Sequence, residues 1–473
     1  MAEEKNLIQV HLQTYRSALR SSREISLSSL IPSYLKMKPL LHPNASQPKV
    51  DSDTLDYVLK RLPPAIKNTQ LVIIGQTKKL FRQQGFELKD WRRVWASHRR
   101  RFYFFQPQKQ ILACLVNSIS DVDDLVNLLI AYQIEINKKR SSPLDLKIRL
   151  LSGSWTDFAK TVQNWWRRLI RQSQNQFQLE EKPIIFISSN NHSLINLLDH
   201  FCLDHAKEIL AQGPAEARKS NLPRRYRVFY ASQYVLRQNP LLGKQKLARE
   251  KKLGILRIKP SQYLPLETQL IPGRLISNRL KEITILNIEY PLGFTAFHLL
   301  EEVLENASQV KGVYLIGKAA SLNTKIGDIL IPKIVFDEHT GNTYLIHNCF
   351  NNNFPYQFQS GSILDNQRLV SVLGTFLQNK NLFDYYSEKE FNIVEMEAGP
   401  YLGAVTQASY AKSLPQKTIV DLTQPPFDLG LIYYASDNPY ILERTLAQLL
   451  EIAGIEATYL AAQAIIDRLK QMK

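Results

Sequence analysis

The sequence predicts an α/β protein: a basic N-terminal α/β domain with a largely parallel sheet, followed by a second α/β domain. Three observations predict it. Short β-branched or aromatic runs alternate with longer segments of helical period, which implies crossover connections between strands. At 473 residues the chain is too long for one compact core. Charge is also uneven, with 46 Lys and Arg against 22 Asp and Glu in residues 1–280, and 14 against 21 in residues 281–473. Such asymmetry marks parts with different work. The Pro-containing stretch KPSQYLPLETQLIPGR reads as a connector. The expected division is therefore a helical leader or arm over 1–60, a basic domain over 61–265, and a second domain over 266–473.

In the first domain the strand candidates are LVIIG (71–75), FYFF (102–105), ILACLVNS (111–118), KIRLL (147–151), IIFISS (184–189) and RVFYAS (227–232). Helical periods fall between them at Asp121–Lys138, Trp155–Arg171 and His192–Leu210. The first of these begins SISDVDDL, so Ser120 or Asp121 is the expected N-cap, with acidic residues in the first turn. In the second domain EITILNIEY, GVYLIG, GDILIPKIVF and EFNIVEMEA read as strands, the last leading into a helix. Gly293–Asn306 reads as a helix, and an Ala/Leu/Ile-rich helical segment interrupted around Gly454 closes the chain.

Composition excludes several classes. A hydrophobic content of 44% and an aromatic content of 10% argue against long disorder. The longest apolar stretch, Leu125–Ile136, is interrupted by Asn127, Gln133 and Glu135, well short of the roughly 20 residues that span a bilayer. The opening MAEEKNLIQVHLQ lacks a signal-peptide layout. The three cysteines, Cys114, Cys202 and Cys349, are widely spaced, which suits a reducing compartment. A cytoplasmic location is the expectation.

Three blocks of the second domain carry chemistry. They are GVYLIGKAASLNTKIGDILIP (312–332), FNIVEMEAGPYLGAV (391–405) and YYASDN (433–438), with SGSILDNQ (360–367) between the first two. In this order they resemble the superfamily of purine nucleoside phosphorylase, uridine phosphorylase and methylthioadenosine/adenosylhomocysteine nucleosidase, over roughly 190 residues. The resemblance implies cleavage of an N-glycosidic bond, by hydrolysis or phosphorolysis, in a purine-type nucleoside or nucleotide. That reaction builds oxocarbenium-like charge on the sugar while electrons collect on the departing base. A carboxylate at the ribose answers the first need and an acid beside the base answers the second. By resemblance Met396 and Glu397 hold the ribose, with Glu395 beside them. Asp437 protonates the base and Ser436 orients it. Gly317, Lys318 and Ser321 belong to the small-residue turn, and Asp365 and Asn366 to the base-contacting connection. No cofactor is implied beyond inorganic phosphate as a co-substrate, and a homo-oligomer is expected. The alternative is a nucleoside- or nucleotide-binding scaffold or regulator without appreciable turnover, engaging an acidic partner through the basic domain.

Plainer roles stand beside these. Glu395 and Glu397 are also readable as a surface pair around a core Met, and Asp437 as a helix cap. The turn carries Lys318 where family phosphorylases place an arginine; with backbone N–H groups and Ser321 it offers a less specific anion site. A hydrolase needs a carboxylate base instead, and Glu289 is near in sequence without a clear match. Asp337, Glu338, His339 and His347 follow no metal-ligand spacing, and a solvated loop or subunit contact is the expected reading.

In the basic half, the SSNNHS junction (188–193) offers backbone donors to an anion, or else Ser193 or Asn191 serves as an ordinary N-cap. The clusters WRRVWASHRRR, WWRRLIRQ and LPRRYRVFY interleave cations with aromatics. That pattern suits nucleic acid or another phosphate-rich partner, or else core tryptophans beneath solvated arginines. The whole chain also resembles an uncharacterised bacterial family with a basic α/β region ahead of a phosphorylase-like domain. SISDVDDLVNLLIAYQIEINK (118–138) and SSNNHSLINLL (188–198) carry that likeness.

Overall fold

Most of the apolar runs become strands, because both of their faces are covered. Leu71–Gly75, Phe102–Gln106, Ile111–Leu115, Lys147–Leu150 and Ile184–Ser189 are all strands, and their large apolar residues are mostly buried. The computed structural model describes residues 2–96, 101–151, 158–173, 176–351, 358–410, 413–440 and 452–472. Trp155, residues 97–100 of the first basic cluster, and residues 441–451 of the closing segment lie outside the described residues.

The described strands form two mixed sheets flanked by helices, an α/β architecture. The first has six strands in the spatial order Ile25–Ser26, Lys147–Leu150, Leu71–Gly75, Ile111–Leu115, Phe102–Gln106 and Arg92–Val94. Its three central strands are parallel, and antiparallel strands close both sides. The second sheet has eleven strands. In its centre Thr284–Glu289, Ile184–Ser189, Val310–Ser321 and Asp428–Asp437 lie side by side and parallel. Ile329–Asp337, Ile363–Ser371 and Phe391–Glu395 continue it on one side, and Thr268–Pro272 and Leu256–Ile258 on the other.

This pairing moves the division of the chain. Strand 184–189, expected in the basic domain, lies between 284–289 and 310–321 of the second sheet. The stretch read as a connector contains Thr268–Pro272, which pairs antiparallel with 284–289. The sheets therefore part before residue 184, and the charge boundary near 260–280 does not follow them. Nor are residues 1–60 an arm on the surface. Tyr15, Tyr34 and Met37 are fully buried, and one core joins them to Leu125 and to Val372, Phe376 and Met396.

Local corrections have local causes. RVFYAS lies inside helix Arg224–Gln238. Pro223 just ahead of the helix and burial of Tyr226, Phe229 and Val235 outweigh the strand propensity of its aromatics. Residues 192–210 form short helices rather than one, because Asp199 is extended and its carboxylate takes the Phe201 N–H at 3.1 Å. Helix Ile119–Asn137 is capped by Ser118, which accepts the Asp121 N–H at 3.2 Å, so Ser120 and Asp121 are left for other partners. Helix Ile452–Gln471 runs through Gly454 without a break. Trp165 and Trp166 are core residues, and the Trp165 indole N–H donates to Thr268 Oγ1 at 3.1 Å.

Arg101 ties the first sheet to helix 119–137. Its Nε lies 3.2 Å from Asp121 Oδ1 and its Nη2 lies 2.7 Å from Asp124 Oδ2, with the side chain 3% exposed. Removing one member of such a buried cluster strands the others. Arg101→Met should therefore lower stability by about 3–5 kcal/mol. Urea unfolding checks this, and a midpoint equal to that of wild type would show that the carboxylates are solvated without Arg101.

Candidate functional site

The site begins as a matter of strand register. Along the parallel pair 310–321 and 428–437, Gly317 lies opposite Tyr433 and Lys318 opposite Tyr434. The register then shifts, so that Ala320 meets Asp437 and Ser436 becomes the extra residue of a bulge. Ala320 also pairs with Val394 of Phe391–Glu395. Three strand ends thus meet, and Gly317, Lys318, Glu395, Met396, Glu397 and Asp437 line one cavity of about 260 Å³. This is close to the low end of small-molecule sites, roughly 300–1,000 Å³.

The two glutamates do different things. Glu395 is buried and saturated with donors: Ser371 Oγ, the N–H groups of Glu397 (2.7 Å) and Ala398 (2.9 Å), and Tyr433 OH (3.3 Å). It takes the N–H groups at the start of helix Ala398–Ser409, and burial holds its carboxyl above the usual carboxylate range. These bonds anchor the cavity wall that Glu395 lines. Glu397 sits at the start of that helix, and its Oε1 accepts the Gly293 N–H at 3.0 Å. Gly293 has φ +53°, and a Cβ there would lie 2.6 Å from Ser120 Oγ. Ser120 Oγ in turn accepts the Phe294 N–H at 2.9 Å. The helix that Ser118 caps therefore holds the loop that holds Glu397. Ser120→Ala would leave the Phe294 N–H without this partner, which should cost about 1–3 kcal/mol. Thermal unfolding reads the loss, and an unshifted transition would mean that water replaces the serine.

Asp437 is 3% exposed. Ser436 Oγ lies 2.8 Å from its Oδ2 and 3.1 Å from Ala319 O, so one hydroxyl proton serves one acceptor at a time. Lys318 Nζ is 3.7 Å from the same Oδ2. Asp437 Oδ1 is buried and has no hydrogen-bond partner among the described residues.

Other expected site residues lie elsewhere. Ser321 is buried in a turn of its own, bonded through Oγ to Thr324, and does not line the cavity. Asp365 and Asn366 belong to strand Ile363–Ser371, not to a base-contacting loop. Parallel pairing with 329–337 takes up that segment, with Asn366 at φ +56° at a register shift. Asp365 accepts its neighbour's N–H at 2.7 Å and faces Lys333 Nζ at 3.6 Å. Asp337 and Glu338 are engaged internally. The first takes the backbone N–H groups of His339 and Thr340, and the second those of Leu373 and the Gln378 amide. No cluster of three metal-ligating side chains occurs among the described residues. Glu289 lines a neighbouring chamber with Arg101, Asn117 and Asp121, across the Tyr290–Leu292 segment that both cavities share.

Sequence reasoning missed the opposite wall. Tyr57, from helix Ser52–Arg61, lines the cavity with Val372, Thr375, Gln378 and Phe383. The Arg61 guanidinium stacks 3.4 Å from the Tyr57 ring centroid, and Phe376 meets the ring edge-on at 5.6 Å. One tyrosine on an amphipathic helix carries no signal of this.

The fold and site define an α/β protein with an acid-lined cavity where three strand ends meet. The chain belongs to the family of unknown function DUF6909, which it matches over residues 27–142 and 139–471. Comparison with curated proteins gives no match. Among solved structures it is similar to 5'-methylthioadenosine/S-adenosylhomocysteine nucleosidase from Neisseria meningitidis, with 12% identity and a TM-score of 0.31 over 62% of this chain and 100% of that one. Purine nucleoside phosphorylase from Toxoplasma gondii gives 13% and 0.32 over 62% and 94%. Uridine phosphorylase from Schistosoma mansoni gives 11% and 0.36 over 63% and 91%. Likenesses at this level assign neither activity nor substrate. No helix among the described residues is long and apolar enough to cross a membrane.

Proposed function

We propose that the chain cleaves the N-glycosidic bond of a purine-type nucleoside or nucleotide. The observation that carries this reading is the convergence of Met396, Glu397 and Asp437, with Lys318, on one cavity. Glu397, oriented by the Gly293 N–H, meets the ribose hydroxyls and the positive charge that grows on the sugar. Met396 packs against the sugar. Asp437 meets the base, its Oδ1 having no partner among the described residues, and Ser436 holds its other oxygen. Tyr57 and Phe383 supply aromatic surface for a planar ring. The acceptor is water or inorganic phosphate, the latter drawn by Lys318.

A second reading has one observation in its favour. Lys318 Nζ stands 3.7 Å from the carboxylate that would deliver the proton. An aspartate engaged by a lysine serves well as an acceptor for a base N–H, which suits a nucleoside-binding protein without turnover. Chromatographic detection of free base from adenosine, inosine, methylthioadenosine and AMP, with and without phosphate, separates the two. Base release supports the enzyme. Thermal stabilisation by a nucleoside without release supports the binding protein.

A further inference from the structure

A second cavity, of about 420 Å³, shares no lining residue with the first. It lies among the turn after strand 184–189, helix Arg224–Gln238, helix Pro240–Leu253 and Arg257. Four cations line it, Arg237, Lys244, Lys246 and Arg257, against the one carboxylate of Glu250. Glu250 is spent on Arg257, at 2.6 Å, and on Lys246, at 3.2 Å, and Arg257 also binds Glu267. The charge of Arg237 and Lys244 at the rim is left uncompensated by any lining residue.

Apart from the engaged Glu250 carboxylate, the lining is rich in groups that can donate. Lys246 Nζ, on a buried side chain, donates to Asn196 Oδ1 at 2.7 Å, which fixes the Asn196 amide. The Asn196 NH₂ then donates to Tyr459 OH at 2.8 Å, so the tyrosine proton points to His192 Nδ1, 3.0 Å away. His192 therefore carries its own proton on Nε2. Burial, with Lys246, Arg237 and Arg257 nearby, pushes its pKa down to about 3, so the ring is a neutral donor at physiological pH. Gln233 Nε2 is a buried donor with no partner among the described residues. The backbone N–H groups of His192 and Ser193 are taken by Asn190 Oδ1, at 3.0 and 2.7 Å, so the turn itself offers no anion cradle. Leu236, Pro240 and Leu247 add an apolar side to the cavity.

A set of donors with excess positive charge calls for an oxyanion with several acceptor oxygens, and the apolar side leaves room for a carbon skeleton. We propose that this cavity binds a small organic phosphate, with the phosphoryl group among Arg237, Lys244, Lys246, His192 and Gln233. A phosphomonoester brings roughly −1.5 to −2 charges at neutral pH, which matches the uncompensated pair at the rim.

The test is calorimetric titration of the full chain with ribose 5-phosphate, ribose and citrate at low and high salt. The comparison protein is the double variant Arg237→Glu, Lys244→Glu, both at exposed positions. Saturable binding of ribose 5-phosphate, weakened by salt and at least tenfold by the double variant, with no binding of ribose, is expected. Asp437→Asn should leave this binding intact, which separates it from the nucleoside cavity. Equal affinity in the double variant, citrate binding as tightly as the phosphate, or no saturation in wild type would each overturn the proposal. A single-stranded oligonucleotide binding more tightly than ribose 5-phosphate, and lost in the same variant, would also overturn it in favour of a nucleic-acid surface.

Discussion

Asp437→Asn should abolish purine-base release while the protein still folds. Asparagine keeps the size of the side chain and an oxygen for Ser436, so the bulge that sets residue 437 against Ala320 has no reason to move. It cannot deliver a proton, and positioned acids contribute about 10²–10⁴-fold to rate. The measurement is free base by chromatography, beside a thermal unfolding curve for each protein. A variant that releases base as fast as wild type would remove Asp437 from the chemistry. If wild type and variant are both inert across nucleosides and nucleotides, the catalytic reading is lost and the binding reading stands.

Gly317→Ala should be strongly destabilising. A Cβ at this position would lie 1.9 Å from Tyr433 Cε1 and 2.1 Å from Cδ1. Tyr433 is 2% exposed and lies opposite Gly317 on the neighbouring strand, so its ring cannot swing aside without leaving Glu395. Overpacking of this kind costs about 1–3 kcal/mol and occasionally more, and a contact this short belongs at the upper end. Urea denaturation should show the loss. The double variant Gly317→Ala, Tyr433→Ala should recover part of it, because the clash is removed and only a cavity remains. A single variant as stable as wild type would show that the strands part easily here, and that the cavity wall is softer than its burial suggests.

Elements with a local signature were readable in the sequence. The runs at 71–75, 111–115 and 184–189 are apolar because both faces of a central strand are covered, and that composition is visible without partners. The blocks around Gly317, Met396 and Asp437 were readable as blocks, although not the register that joins them. Features set by distant pairing were not readable. Residues 363–367 look like a loop until strand 329–337 lies beside them, and 227–232 look like a strand until helix 452–471 covers their aromatics. Tyr57 reaches the cavity only because residues 1–60 are packed into the core. The charge boundary misled for a related reason, since net charge follows surface and partners rather than backbone pairing.

The position of strand 184–189 bears on how this protein can change over time. It belongs by sequence to the basic half and by hydrogen bonding to the acidic one. A fragment starting at 266 would lack it and leave two long apolar strand edges facing water, the usual start of aggregation. During synthesis the strand also emerges well before either neighbour and must wait for both. Neither half is a portable module. Duplication, fusion or loss at the charge boundary would break the sheet, so the acid-lined cavity and the basic helices around the second cavity are bound to be inherited as one unit.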